Sequence, residues 1–233
     1  MNLVVVGGPH SGVGKTLASE IALHALTGLA YGAIKLTVAD GERDRGHDHG
    51  ASALIMADAA GICGRSMSCG VCETVSTKLP SRLITAEGAI HKHGTDTWRL
   101  ANAGAVAVAW IIALREAAPR AVEDACCYLA SKGARGVVVE GTTSLDWLTP
   151  RASVMVATDP GRTWKDVALR HVADCDIVLL NTVPVSPGNQ RAPAAFTAAR
   201  PVRCDLADRA DEGTKSYGVR LRRLVEERTS VSH

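Results

Sequence analysis

Leu3-Val4-Val5-Val6-Gly7-Gly8-Pro9-His10-Ser11-Gly12-Val13-Gly14-Lys15-Thr16 decides the fold. A short apolar, β-branched run feeds a glycine-rich turn, and the turn opens a helix near Lys15, the order a phosphate-binding loop requires. Gly12 and Gly14 let backbone N–H groups point inward around a phosphate chain without Cβ clashes. The helix N-terminus after Gly14 adds partial positive charge, and Lys15 is placed to reach the β- and γ-phosphates. The Thr16 hydroxyl falls where the accompanying Mg²⁺ binds. His10, Ser11, Gly12, Val13, Gly14, Lys15 and Thr16 are therefore the phosphate-loop candidates, with His10 a positional contact rather than a metal ligand. The strict pattern G-x-x-x-x-G-K-[S/T] puts its first glycine at residue 9, where this chain has Pro9. Gly7 or Gly8 must then supply the tight turn.

Outward from this loop, strand-like and helix-like segments alternate, predicting an α/β, doubly wound, mostly parallel sheet of the P-loop NTPase type. Strands are expected near 2–6, 31–37, 105–113, 136–140, 153–158 and 176–181, and helices near 15–28, 119–132, 163–173 and 217–228. The runs at 136–140 and 176–181 are almost continuously apolar, as in strands covered on both faces. Residues 1–233 read as one domain with a polar Cys/His-rich insertion at about 38–97, poor in strand signal, in which 50–60 fits one short helix. Residues 184–215 read as irregular.

Composition narrows the function. Of 233 residues 46% are hydrophobic but only 3% aromatic, so Val, Ala, Leu and Ile build the core. The net charge of +2, without a basic cluster interleaved with aromatics, argues against nucleic acid. Arg220, Arg222 and Arg223 read as the solvated face of a last helix. No run approaches the roughly 18 apolar residues of a membrane span, and the first apolar run is a strand rather than a signal peptide. A cytoplasmic protein with reduced thiols is the expectation.

Two strand ends complete a nucleotide site. Val137-Val138-Val139 ends in Glu140-Gly141, and a carboxylate at that edge lies beside the phosphate loop, where it holds Mg²⁺ or its water; a surface Glu at a strand end is the plainer reading. The strand Asp176–Leu180 ends in Asn181, whose two-sided amide suits a nucleobase or a turn cap before Pro184. No N-K-x-D signature follows it, so guanine is not specified. Lys35 and Asp40 flank the second strand's end, as phosphate or Mg²⁺ contacts or as solvated loop charges, and Asp40 is the candidate to position water.

Seven cysteines divide into two groups. Cys126, Cys127, Cys175 and Cys204 read as ordinary buried thiols on a helix or beside strands. Cys63, Cys69 and Cys72 are spaced by six and three in a glycine-containing polar loop, which lets them converge on Zn²⁺ or an iron–sulfur cluster. His47, Asp48, His49, His91, His93 or a symmetry-related subunit would supply the remaining ligand. The competing reading is a set of small structural thiols.

The stretch Val4–Thr16, the strand Gly32-Ala33-Ile34-Lys35 and the segment Gly94-Thr95-Asp96-Thr97-Trp98-Arg99-Leu100-Ala101-Asn102-Ala103-Gly104-Ala105 together resemble the MobB family of molybdopterin-guanine dinucleotide biosynthesis proteins, which are P-loop NTPases. The third segment looks like that family's G-K-D-[S/T]-[Y/W]-R-x-x-x-A-G-A, and the Glu140-Gly141 strand end is similar. The likeness covers about residues 1–160. It implies a homodimer, GTP or ATP with Mg²⁺, and a client protein in cofactor maturation. Gly12, Gly14, Lys15 and Thr16 would bind phosphates and Mg²⁺, Glu140 would be the acidic partner, and Lys35, Asp96 and Arg99 would line the cleft or dimer interface. Pro9 and the Cys63–Cys72 loop depart from the family pattern.

The resulting expectation is a slow Mg²⁺-dependent nucleoside triphosphatase serving a metal-containing cofactor. Lys15, Thr16, Asp40 and Glu140 would do the catalytic work, and Arg99 or Arg162 of a partner subunit would complete the charge. The alternatives are an ATP-dependent amide or carboxylate ligase resembling dethiobiotin synthetase, or a non-catalytic nucleotide- and metal-sensing scaffold.

Overall fold

The computed structural model describes residues 1–39, 74–183 and 188–230. Asp40, His47, Asp48, His49, the 50–60 segment, Cys63, Cys69 and Cys72 lie outside the described residues. Among those described, β1 (Asn2–Gly7), β2 (Tyr31–Ala39), β3 (Ser81–Ile84), β4 (Val108–Leu114), β5 (Gly136–Glu140), β6 (Ala152–Ala157), β7 (Ile177–Asn181) and β8 (Val202–Cys204) form one sheet. Its order is β3-β4-β2-β5-β1-β6-β7-β8. Every pairing is parallel except β3 with β4. This is the doubly wound α/β architecture expected, and it is consistent with that of P-loop NTPases.

Alternation along the central strands explains the two layers. Val4 and Val6 pack on one face and Val5 on the other; Val138 joins the first face, Val137 and Val139 the second. All six side chains are fully buried, each worth about 1.5–3 kcal/mol relative to exposure. Helices α1 (Lys15–Ala25), α2 (Glu87–Ile90), α3 (Asp96–Asn102), α4 (Ala118–Ser131), α5 (Asp166–His171), α6 (Ala194–Ala198) and α7 (Glu212–Ser230) cover these faces. Leu23 and Leu26, at or beside the end of α1, share a core with Leu100 of α3 and with Tyr217, Leu221 and Val225 of α7, spaced four apart on one stripe. On the opposite face, Ala121, Val122, Ala125 and Leu129 of α4 meet Ile34 and Ile111.

Strand order reverses at β1, with β2 to β5 on one side and β6 to β8 on the other. Ligand crevices open at the carboxyl ends of strands beside such a point, and here that end of β1 continues into Gly8–Gly14.

Several elements differ from the sequence reading. β3 lies inside the segment expected to lack strands, and α2 and α3 follow it. Arg82 and Leu83 are both exposed on this four-residue edge strand, so no apolar periodicity marks it. Residues 184–215 contain α6, the three-residue β8 and the start of α7. Cys127 is exposed rather than buried. Burial pushes the thiols of Cys175 and Cys204 up to about 12, which keeps both protonated and unreactive. Among the described residues no helix is long and apolar enough to cross a membrane.

Candidate functional site

The glycine-rich loop is closely packed at Gly8 and Gly14. A Cβ at Gly8 would stand 2.7 Å from both Val13 Cγ2 and the Val156 carbonyl. The tight approach therefore falls on Gly8, one position before the motif's usual glycine, and Pro9 is accommodated. Thr142 completes this corner: its hydroxyl accepts the Gly8 N–H at 2.8 Å and donates to the Gly8 carbonyl at 2.7 Å. Gly14 adopts φ 105°, and a side chain there would meet Asn181 Nδ2 at 2.8 Å. α1 begins directly after it without a side-chain cap and without an acid in its first turn. The helix's first N–H groups and its dipole are thus offered to an anion.

Lys15 donates to the His10 carbonyl at 2.5 Å. Burial lowers its ammonium from the usual lysine value to about 8; Glu140 and Asp96 oppose the shift, while Lys35 and Lys165 add to it. A buried cation so disfavoured gains most from a polyanion beside it.

Glu140 organises the opposite wall. It ends β5 buried, and the Thr16 hydroxyl donates to both carboxylate oxygens at 3.1 Å. Lys35 is its register partner on β2, so the two side chains emerge together. The Lys35 ammonium pairs with Glu140 and, at 2.6 Å, with Asp96 at the start of α3. Burial alone would lower the Lys35 ammonium, but these two carboxylates outweigh it and hold its pKa above the ordinary value. Gly141 belongs to the same design, since a Cβ there would lie 2.8 Å from Leu36 Cβ.

On the other flank neutral side chains hold the loop, with the cations Arg162 and Lys165 close beside them. His10 is buried, and its Nε2 accepts the Arg162 N–H at 3.1 Å, which leaves Nδ1 protonated to donate to the Ser11 carbonyl at 2.8 Å. Burial lowers its pKa against the pull of that carbonyl, and Lys15, Arg162 and Lys165 lower it further, so the ring is neutral.

Of the two roles the sequence left open for Asn181, nucleobase contact or turn cap, its contacts are those of the cap. Its amide is buried and donates to the carbonyls of Val13 at 3.0 Å and Val183 at 3.3 Å, while its oxygen accepts from Leu206 N–H at 3.4 Å. Val13 and Leu206 are fully buried, so their backbone groups would otherwise go unsatisfied, and the side chain braces the loop from behind.

Ser11, Lys15, Thr16, Lys35, Glu140 and Lys165 line one cleft of about 350 Å³. Arg99 reaches its edge but is engaged by Glu20 of α1, which Arg209 also meets at 3.0 Å. Sequence reasoning missed Thr142 and Lys165: a lone hydroxyl and a lone lysine carry no spacing signal.

Among the described residues no cluster of three or more His, Cys, Asp or Glu side chains is placed to hold a metal. The donors present, one hydroxyl and one carboxylate, still fit Mg²⁺, which takes one or two protein oxygens and fills its octahedron with water and phosphate. In comparisons with protein-family models, curated proteins and solved structures, the chain matches none.

Proposed function

We propose that the protein is a Mg²⁺-dependent P-loop nucleoside triphosphatase acting on GTP or ATP. The observation that carries this reading is the convergence of Lys15, Thr16 and Glu140 on one cleft at the start of α1. Backbone N–H groups of residues 11–16 and the Lys15 ammonium would bind the β- and γ-phosphates. Thr16 and Glu140 would hold Mg²⁺, which supplies charge neutralisation at the phosphate oxygens. Lys35 holds the Glu140 carboxylate against Thr16, so little reorganisation is needed when the site fills. Asp40 stays the candidate for orienting water.

The MobB resemblance extends the proposal to a homodimer that matures or delivers a metal-containing cofactor to a client protein in the cytoplasm. Cys63, Cys69 and Cys72 would hold Zn²⁺ or an iron–sulfur cluster. Elemental analysis after anaerobic purification tests that part, and protein without zinc, iron or sulfide removes it.

Hydrolysis of GTP and ATP with and without Mg²⁺, beside Lys15→Ala, tests the core of the reading. Slow Mg²⁺-dependent release of phosphate and a loss of triphosphate affinity of 100-fold or more in Lys15→Ala are expected. Unchanged affinity in that variant would sink it. Turnover that appears only when a small carboxylic acid is added would transfer the protein to the ligase class.

A further inference from the structure

Beyond β6 the chain turns through Thr158–Lys165 before α5, and this turn is fastened at four places. His10 Nε2 accepts the Arg162 N–H at 3.1 Å, and the Pro9 carbonyl accepts the Lys165 N–H at 3.3 Å. Gly161 and Gln190 exchange both backbone hydrogen bonds, at 2.7 and 2.8 Å. Trp164 is buried edge-on against Phe196, with ring centroids 5.5 Å apart. Only glycine fits where these contacts cross: a Cβ at Gly161 would lie 2.8 Å from the Thr158 carbonyl and 3.3 Å from His10 Nε2. Backbone held this firmly fixes where the next side chain starts.

That side chain is Lys165, exposed along its length yet lining the cleft that contains Lys15, Thr16 and Glu140. Its charge is near enough to lower the pKa values of both Lys15 and His10. Arg99 is committed to Glu20. Lys165 therefore supplies, within one chain, the further cation that a loose phosphoryl-transfer transition state demands.

We propose, resting on the triphosphatase reading, that Lys165 is a catalytic residue whose ammonium meets the γ-phosphoryl oxygens, and that His10 is the positioning residue that holds its segment against the loop. In the step it serves, the water oxygen bonds to the γ-phosphorus and the bond to the β,γ-bridging oxygen breaks. The electron pair stays on the nucleoside diphosphate, and one proton leaves the water for solvent. Charge redistributes over the bridging and γ-oxygens during this exchange, so an ammonium that meets them acts more on turnover than on ground-state binding.

The test compares Lys165→Ala, Lys165→Arg, His10→Ala, His10→Gln and Lys15→Ala for kcat and for affinity toward the Mg²⁺ complexes of nucleoside di- and triphosphate. Lys165→Ala is expected to lower kcat by about 10²–10³-fold with diphosphate affinity unchanged, and Lys165→Arg to recover part of the loss. His10→Ala should lower kcat about tenfold, and His10→Gln, which keeps an acceptor for the Arg162 N–H, should restore it. If Lys15→Ala loses triphosphate while Lys165→Ala turns over at the wild-type rate, the Lys165 proposal alone is overturned. If Lys15→Ala still binds triphosphate, the nucleotide reading falls and takes Lys165 with it.

Discussion

The two flanks of the phosphate loop are built from different materials. On the β2–β5 side, Asp96, Lys35 and Glu140 form a chain of alternating charge, half-exposed at Asp96 and buried at Lys35 and Glu140, that ends on the Thr16 hydroxyl. On the β6–β7 side, a neutral imidazole and a carboxamide bond almost entirely to backbone. The charged flank is sensitive to any ion entering the cleft, because losing one partner of a buried pair costs about 3–5 kcal/mol. Neutral hydrogen bonds contribute about 0.5–1.5 kcal/mol each and do not respond to ligand charge in that way. One flank answers directly to ligand charge; the other keeps the loop in shape and, through the same contacts, fixes the backbone that carries Lys165.

Glu140→Gln is the strongest way to break this comparison. It keeps size and hydrogen bonding but removes the charge facing Thr16, and should lower Mg²⁺-dependent kcat by about 10²-fold while triphosphate still binds. A wild-type rate across a Mg²⁺ titration would show that the charged flank is only structural. Asn181→Ala probes the opposite flank. Leaving the Val13 carbonyl and the Leu206 N–H without their partner should cost about 1–3 kcal/mol, seen as a fall of several degrees in Tm. The preference between ATP and GTP should not move. A changed preference with unchanged Tm would return Asn181 to the nucleobase.

The smallest effect separates Lys15 from its surroundings by pH. Its folded pKa, about 8, lies below the ordinary lysine value of 10.5. Between those two values the unfolded chain binds more protons, so the Lys15 contribution makes the free protein more stable as pH rises from 8 toward 10.5. Bound phosphate favours the ammonium, so triphosphate affinity should fall over the same interval, by up to about tenfold per pH unit. Calorimetry in buffers of different ionisation enthalpy should record proton uptake near pH 8. Binding without proton uptake there would mean that the ammonium does not touch phosphate.

The sequence made the central strands and loop legible because their physics is local. Glycine at positive φ, a hydroxyl after lysine and an acid ending a valine run each carry a spacing requirement. The edges were not legible: β3 and β8 are too short to display a period, and β3 exposes both Arg82 and Leu83. Asn181 shows the other limit. Its position at a strand end fits a base, but only the packed structure reveals that Val13 and Leu206 already claim its amide. Thr142 and Lys165 depend wholly on tertiary placement.

Tyr217 of α7 donates its hydroxyl to the Ala18 carbonyl of α1 at 3.0 Å, deep in the core. Chain order gives this contact a temporal meaning. The loop at Gly8–Gly14 leaves a ribosome before Glu140, Asn181, Leu206 and Tyr217, which brace it and its helix and emerge progressively later. At about 5–20 residues per second, the loop waits roughly 10–40 s for its last support. During vectorial synthesis the loop is therefore made long before its packing is complete, and its final shape depends on residues some two hundred positions downstream.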